Sequence, residues 1–419
     1  MRPYCHLSLG LLLLLAWGTA NAQTIDARTQ ARIDRILKAT PLIDGHNDLP
    51  WEVRENHQSS VDHLESGGAQ RQPPVMTDMA RMRAGRVGGQ FWSVYISGTI
   101  TGDAALRATL EQIDTARRLI ATYPRHLELA STAADVVRIH RSGKIASMLG
   151  MEGGRGISGS MPALRQFYNL GVRYMTLTHN QTTEWADSAT DEPRHNGVSP
   201  FGAQVIAEMN RVGMLVDLSH VSPDAMKDAI EMSRAPVIFS HSNAFARNPH
   251  PRNVPDEVLR LLPARGGVVM VNFYPVFLAA DVRGWAVRRM MEDTRLKAYS
   301  PFDKKAVEQG LERWEAANPR PATPVATVAD HIEHIARTAG HDHVGIGGDL
   351  DGVPYTAVGL ESVAGYPSLF AELIRRGWSD RNLAKLAGGN VLQAMRGAEA
   401  VAASMRDVSP SVEVQEPIR

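Results

Sequence analysis

The sequence predicts an α/β fold, a (β/α)8 barrel with its working residues at the C-terminal ends of the strands. Eight short apolar runs alternate with longer stretches of helical periodicity, the count and rhythm of such a barrel. The runs are continuously apolar, as parallel strands buried on both faces are. Several end in a histidine or a carboxylate, and in a barrel those ends converge on one face. An open, doubly wound sheet is the other architecture that the alternation allows.

Taken in order, a helical lead-in over 27–40 precedes a first strand at 41–46. Further strands are expected at 89–96, 144–150, 174–178, 214–219, 236–240, 267–273 and 343–347. Ser222-Pro223-Asp224 supplies the cap and first-turn proline that open a helix after the fifth strand, and 327–338 has apolar positions at helical spacing. Residues 281–324 break the rhythm with a charged helical stretch and a proline-rich exit. They read as an insertion after the seventh strand, a lid or a subunit contact. The barrel domain is expected over 23–405, with 406–419 a flexible tail lacking apolar periodicity.

At the N-terminus, Arg2, the apolar run 7–17 and Ala20-Asn21-Ala22 have the order of a secretory signal peptide, residues 1–22. The run is shorter than the roughly 20 residues a spanning helix needs. The expected product is secreted, periplasmic in a Gram-negative cell, with no membrane span after cleavage. Cleavage also removes Cys5, the single cysteine, so disulfides, thiolate metal sites and cysteine nucleophiles drop out together. With 45 basic and 45 acidic residues, the chain has no global field to attract nucleic acid or an anionic membrane.

The informative residues are those that follow each run: His46 and Asp48 after the first, Glu152 in a glycine-rich turn after the third, then His179, His220, His241 and, after the eighth, Asp349. Ionisable groups at the ends of buried strands are costly unless paired or bound to metal. Singly, each has an ordinary explanation. His46 can be a hydrogen-bonded histidine beside an N-cap aspartate, Glu152 a loop carboxylate on backbone N–H groups, His220 and His241 satisfied structural histidines. Jointly, three histidines with Asp48 and Glu152 match a nitrogen–oxygen site for zinc or a similar ion. Five ligands, one able to bridge, fit two metals about 3.5–4 Å apart better than one closed site. A second group, His331, His334, His341 and His343, precedes the last strand and is expected on a solvated face away from this chemistry. His57, His63, His195 and His250 lie in loops and are assigned none.

Pro41 to Pro50, Gly150 to Gly154, Leu177-Thr-His179-Asn180, Asp217-Leu-Ser-His220, Arg252-Asn-Val-Pro-Asp256 and Gly347-Gly-Asp349-Leu-Asp-Gly352 resemble the motifs of the membrane (renal) dipeptidase family of zinc peptidases, with the match running from Thr40 to Met395. The resemblance implies a distorted TIM-like barrel holding two Zn2+ per chain. His46 and Asp48 would bind one, His220 and His241 the other, with Glu152 bridging. It also implies that His179 and Arg252 contact a small dipeptide substrate, that Asp349 handles protons, that a D-residue is tolerated at the substrate's C-terminus, and that the protein is a homodimer. Two departures stand out. Animal members are disulfide-bonded and lipid-anchored, and this sequence shows neither the cysteines nor an apolar C-terminal tail. The 281–324 insertion lies near the seventh strand, where family members line the pocket; Tyr274 and Phe277 are pocket candidates there, with core packing as the other reading.

The chemistry expected of such a site is hydrolysis by a metal-bridging hydroxide. Two divalent ions against hydroxide, Asp48 and Glu152 leave a positive centre that favours the tetrahedral oxyanion. Asp349 would carry the proton from water to the leaving amine, or stand behind a ligand histidine. His179 would hydrogen-bond the oxyanion, and Arg252 would clamp the substrate carboxylate through two parallel hydrogen bonds, which confines the enzyme to dipeptides. Two other functions are compatible with the residues. One is another binuclear amidohydrolase acting on an N-acyl amino acid, cyclic amide or lactone. Many such barrels use H-x-H and a carboxylated lysine where this chain has His46-x-Asp48 and Glu152. The other is a periplasmic metal- or peptide-binding protein without turnover, against which Asp349 and His179 speak.

Overall fold

Runs that are apolar throughout bury side chains on both faces of a strand, and here they do so in a closed sheet. The computed structural model describes residues 25–415, so the expected leader at 1–22 lies outside the described residues. The strands are β1 (Leu42–Asn47), β2 (Val87–Tyr95), β3 (Leu127–Leu129), β4 (Ile145–Glu152), β5 (Val172–Thr176), β6 (Leu215–Asp217), β7 (Ile238–Phe239), β8 (Val268–Val271) and β9 (Val344–Ile346). They pair in parallel in the order β1–β2–β4–β5–β6–β7–β8–β9, and β9 returns to β1 through Asp44 and Ile346. The eight expected strands close the barrel, with helices around it. The additional β3 pairs with the start of β4, before β5 takes over that edge from Leu149. Three residues with Glu128 between two leucines carry no apolar-run signal.

Successive residues of a strand point to opposite faces. Ile43, Phe91, Met148, Tyr174, Ile238 and Met270 share one buried cluster, closed by Val391 and Met395 of helix Asn390–Ser404. Their neighbours Leu42, Trp92, Leu149, Met175, Phe239 and Val271 join the layer shared with the surrounding helices. A one-residue slip in β5 would turn Arg173 and Met175 inward in place of Tyr174. Tyr174 is the residue of that strand that reaches the functional site.

Helix starts follow local chemistry. Ser199 and Ser222 accept hydrogen bonds from Gly202 and Ala225 backbone N–H groups, and Pro200 and Pro223 occupy the first helical position, where a missing N–H costs nothing. Residues 281–324, expected as an insertion, lie in helices Ala280–Tyr299 and Lys304–Ala317 and the segment that follows them. That segment is tied back where Val358 N–H donates to the Thr323 carbonyl at 2.8 Å. In the segment expected as a loose tail, Ser411 accepts from Arg165 and Gln415 N–H donates to the Gly159 carbonyl at 2.8 Å. Among the described residues no helix is long and apolar enough to cross a membrane.

Candidate active site

The sheet gathers its strand ends around Glu152, the last residue of β4. Glu152 Oε2 lies 3.3 Å from His46 Nε2, while Oε1 lies 3.0 Å from His220 Nε2 and 3.4 Å from His241 Nε2. Asp48 Oδ2 is 3.1 Å from His46 Nε2. The carboxylate therefore gives one oxygen to each of two ligand groups, His46–Asp48–Glu152 and Glu152–His220–His241, whose donor atoms lie within 4.8 Å of one another. A third group of the same reach joins His46, His241 and Asp349. β1 is irregular between Asp44 and Asn47, and breaks of this kind re-aim side chains next to active sites.

The donor set fits metal. His46 Nε2 and Asp48 Oδ1 are buried without a hydrogen-bond partner, an arrangement that costs free energy unless a cation takes up the lone pairs. Burial holds His220 and His241 well below the ordinary histidine range, with Arg252 and His46 respectively adding to it; neutral imidazole is the ligand form. Burial opposes charge on His46 too, but Tyr174, Asp48 and Glu152 outweigh it and hold that ring well above its usual value, so positive charge is demanded at this point. Burial would raise Glu152, and His46, His179 and His220 instead hold it well below the carboxylate range.

The far nitrogens of two of these histidines are fixed by the fold. Tyr174 hydroxyl donates to the Gly45 carbonyl at 3.1 Å, which leaves its oxygen to accept from His46 Nδ1 at 2.8 Å. Ser240 hydroxyl donates to Asp217 Oδ2 at 2.6 Å and accepts from His241 Nδ1 at 2.8 Å. In both rings this places a proton on Nδ1 and turns Nε2 toward Glu152, the outer-shell orientation metal sites use; His241 Nε2 also lies 2.9 Å from His220 Nε2. Asp217 is fully buried and also receives Thr176 hydroxyl and the Ser219 and Ser240 N–H groups. Asp44 plays a similar part under β1, accepting from His46 and Gly348 N–H groups and from Tyr366 hydroxyl. A Cβ at Gly352 would collide with the Asp48 and Asp349 carboxylates, so this position stays a glycine.

Beside the cluster opens a cavity of about 380 Å³ lined by His179, Arg252, Asp349, Trp51, Tyr95, Tyr274 and Phe277, among others. Arg252 is buried, its Nη1 has no partner, and its guanidinium carbon lies 5.3 Å from the Phe277 ring centre. Asn272 Nδ2 donates to Asp349 Oδ2 at 2.7 Å. Burial pushes Asp349 up to about 8, opposed by His46 and reinforced by Asp48 and Glu152. A roomier cavity of about 570 Å³, at the opposite ends of β2 and β4, contains none of these residues, so size alone does not mark the site.

All eight residues expected at the site thus meet in one place, with Tyr274 and Phe277 on its wall. Sequence reasoning missed Tyr174, Ser240, Asp217, Asp44, Asn272, Trp51 and Tyr95. The expectation for the second histidine group needs correcting. His331 is buried, not solvated: its Nδ1 accepts from Ala244 N–H at 3.1 Å and its Nε2 donates to the Leu278 carbonyl at 3.0 Å. His334 pairs with Asp256 at 2.7 Å and His343 Nδ1 lies 2.7 Å from the Gly267 carbonyl.

With this geometry in view, the likenesses to known proteins are specific. Residues 30–409 match the profile described as Membrane dipeptidase (Peptidase family M19). A protein of Schizosaccharomyces pombe designated an uncharacterized dipeptidase is 39% identical, the alignment covering 96% of this chain and 91% of that one. Among solved structures, the probable dipeptidase PvdM of Pseudomonas aeruginosa superposes with a TM-score of 0.73 at 22% identity, over 90% of this chain and 99% of that one. A metallo peptidase of Rhodobacter sphaeroides, liganded with a phosphinate mimic of the dipeptide L-Ala-D-Ala, gives 0.71 at 23% identity, over 86% and 99%. The chain belongs to the membrane dipeptidase family, and is a metallo-dipeptidase.

Proposed function

We propose that this enzyme hydrolyses dipeptides with two zinc ions in the Glu152-centred cluster, accepting a D-residue at the second position, and that it works outside the cytoplasm, for which the apolar leader speaks. The observation that carries the reading is the buried, unpartnered Nη1 of Arg252 in the same cavity as the bridging carboxylate. His46 and Asp48 would hold one ion, His220 and His241 the other, and Glu152 would give one oxygen to each. When bound, such a pair supplies water ionised near neutral pH and positive charge opposite a developing oxyanion.

The chain's own residues do the rest. Burial pushes Arg252 down to about 10, so the guanidinium stays charged at neutral pH and receives the substrate's C-terminal carboxylate. A longer peptide would place an uncharged amide there and leave a buried cation unpaired. His179, kept below its ordinary pKa by burial, presents a neutral ring to the cavity, suited to donate one hydrogen bond to the oxyanion. Asp349 is held through Oδ2 by Asn272; positive charge bound in the cluster beside it would favour its ionised form over the burial that raises it, and in that form Oδ1 takes a proton from the attacking water and returns it to the leaving nitrogen.

The test is release of free amino acids from L-Ala-L-Ala and L-Ala-D-Ala, with L-Ala-L-Ala amide beside them and metal counted per chain by elemental analysis. About two zinc per chain, chelator-sensitive cleavage and an inert amide are expected. Cleavage of the amide at the dipeptide rate would remove Arg252 from its role, and metal without cleavage of any dipeptide would end the dipeptidase reading.

A further inference from the structure

The 281–324 insertion builds one end of a continuous wall beside the active site. From Arg252 the wall runs through Phe277 to Tyr274, whose rings meet edge-on with centres 5.1 Å apart. It continues to Tyr355, 5.3 Å from Tyr274 between ring centres. It ends at Arg320, whose guanidinium carbon sits 3.5 Å above the Tyr355 ring.

Arg320 is held there by its neighbours in the chain. Trp285 of helix Ala280–Tyr299 packs against Trp314 and Tyr355, and its Nε1 donates to the Asn318 carbonyl at 2.7 Å, two residues before Arg320. Pro319 and Pro321 flank the arginine, which stiffens the backbone on both sides and favours an extended conformation at Arg320. Among the described residues Arg320 pairs with no carboxylate; Glu315, close to it in sequence, is taken by Arg289 at 2.6 Å. A guanidinium stacked on an aromatic face keeps the N–H groups of its edge free, in the fork geometry that matches a carboxylate.

Resting on the dipeptidase reading, we propose that Arg320 is a specificity-determining residue that selects dipeptides with an acidic side chain on the C-terminal residue. The side chain of that residue leaves the same Cα as the carboxylate bound by Arg252, and Phe277 and Tyr274, the part of the wall that lines the cavity, stand beside Arg252. Arg252 is the sole lysine or arginine lining the cavity itself. The only other cation on the wall is Arg320, and a second carboxylate on the substrate finds its partner there. An arginine that merely anchors the insertion to Tyr355 would be indifferent to the substrate's charge.

The experiment compares kcat/KM for L-Ala-L-Glu with L-Ala-L-Gln, and for L-Ala-D-Glu with L-Ala-D-Gln, in the parent enzyme, Arg320→Ala and Arg320→Gln. Zinc content and Tm of each variant establish that it is folded. The parent is expected to favour glutamate over glutamine by roughly 10- to 100-fold in the accepted stereoisomer, and both variants to bring the ratio close to one. A parent ratio near one, or a ratio that persists in the folded variants, overturns the proposal. L-Ala-L-Ala and L-Ala-D-Ala, run on the parent alone, separate this failure from the larger one: if they are cleaved the dipeptidase reading stands without Arg320, and if no dipeptide is cleaved both fall together.

Discussion

Two groups of buried histidines in this barrel differ in how their nitrogens are used. His331 sits between two stretches of backbone, one nitrogen accepting from Ala244 and the other donating to Leu278; nothing is left over for a ligand. His46 and His241 each engage Nδ1, with Tyr174 and Ser240, and turn Nε2 toward Glu152, where His241 Nε2 also meets His220 Nε2 at 2.9 Å. Burial and residue type are the same in both groups. What separates a candidate ligand from a structural histidine here is a nitrogen that faces the Glu152 carboxylate instead of backbone.

The most forceful way to break this contrast is Glu152→Gln, which keeps the size of the bridge and removes its charge. Zinc per chain and kcat/KM should both collapse, beyond the roughly 100-fold that loss of an outer-shell partner costs; full metal content in the variant would show that Glu152 is no bridge. Asp349→Asn tests the proton path: kcat should fall on the order of 100- to 10,000-fold with both metals retained. Loss of metal instead would make Asp349 a ligand, as its grouping with His46 and His241 allows. Arg252→Ala should raise KM for dipeptides roughly 10- to 100-fold with metal unchanged, and an equal KM would sink the clamp.

Finer tests address the far nitrogens. Tyr174→Phe and Ser240→Ala each release one Nδ1 and should weaken zinc binding roughly 10- to 100-fold, measured by competition with a chelator; unchanged affinity would mean that the two rings need no orienting partner. His331 should respond to pH rather than to metal. Burial pushes it down to about 4 in the folded chain, against roughly 6.5 when unfolded. The unfolded state therefore binds the extra proton between those values. The stability is fully present above pH 6.5 and is lost as pH falls toward 4, on the order of 3 kcal/mol. Denaturant midpoints across this range should show that slope, and His331→Leu should flatten it; an identical slope in the variant would refute the assignment.

The barrel and the convergence of its strand-end residues were legible because parallel strands buried on both faces leave apolar runs, and because ionisable residues at the ends of such runs have few innocent explanations. β3 was illegible for the converse reason, being three residues long with a glutamate in its middle. The misplacement of His331 came from treating a polar residue on a helix before the last strand as solvated, whereas Val328, Ile332 and Ile335 bury that face with it. Asp44 and Asp217 were in plain sight inside apolar strands. A carboxylate there must collect several donors, and four converge on Asp217 from three segments. The partnership of Tyr174 with His46 spans 128 residues and has no local signature at all.

His220, Asp349 and Asp351 adopt left-handed backbone, with φ of +70°, +60° and +64°. For an L-residue with a side chain this costs roughly 1–2 kcal/mol per position, a penalty that glycine escapes. A glycine at 220 or 349 would therefore relax the chain while removing the proposed ligand or the proposed proton carrier. Selection for heat resistance and selection for turnover pull in opposite directions at these positions. A library screened for folding alone should drift toward glycine or asparagine there, and its most stable members should be dead enzymes.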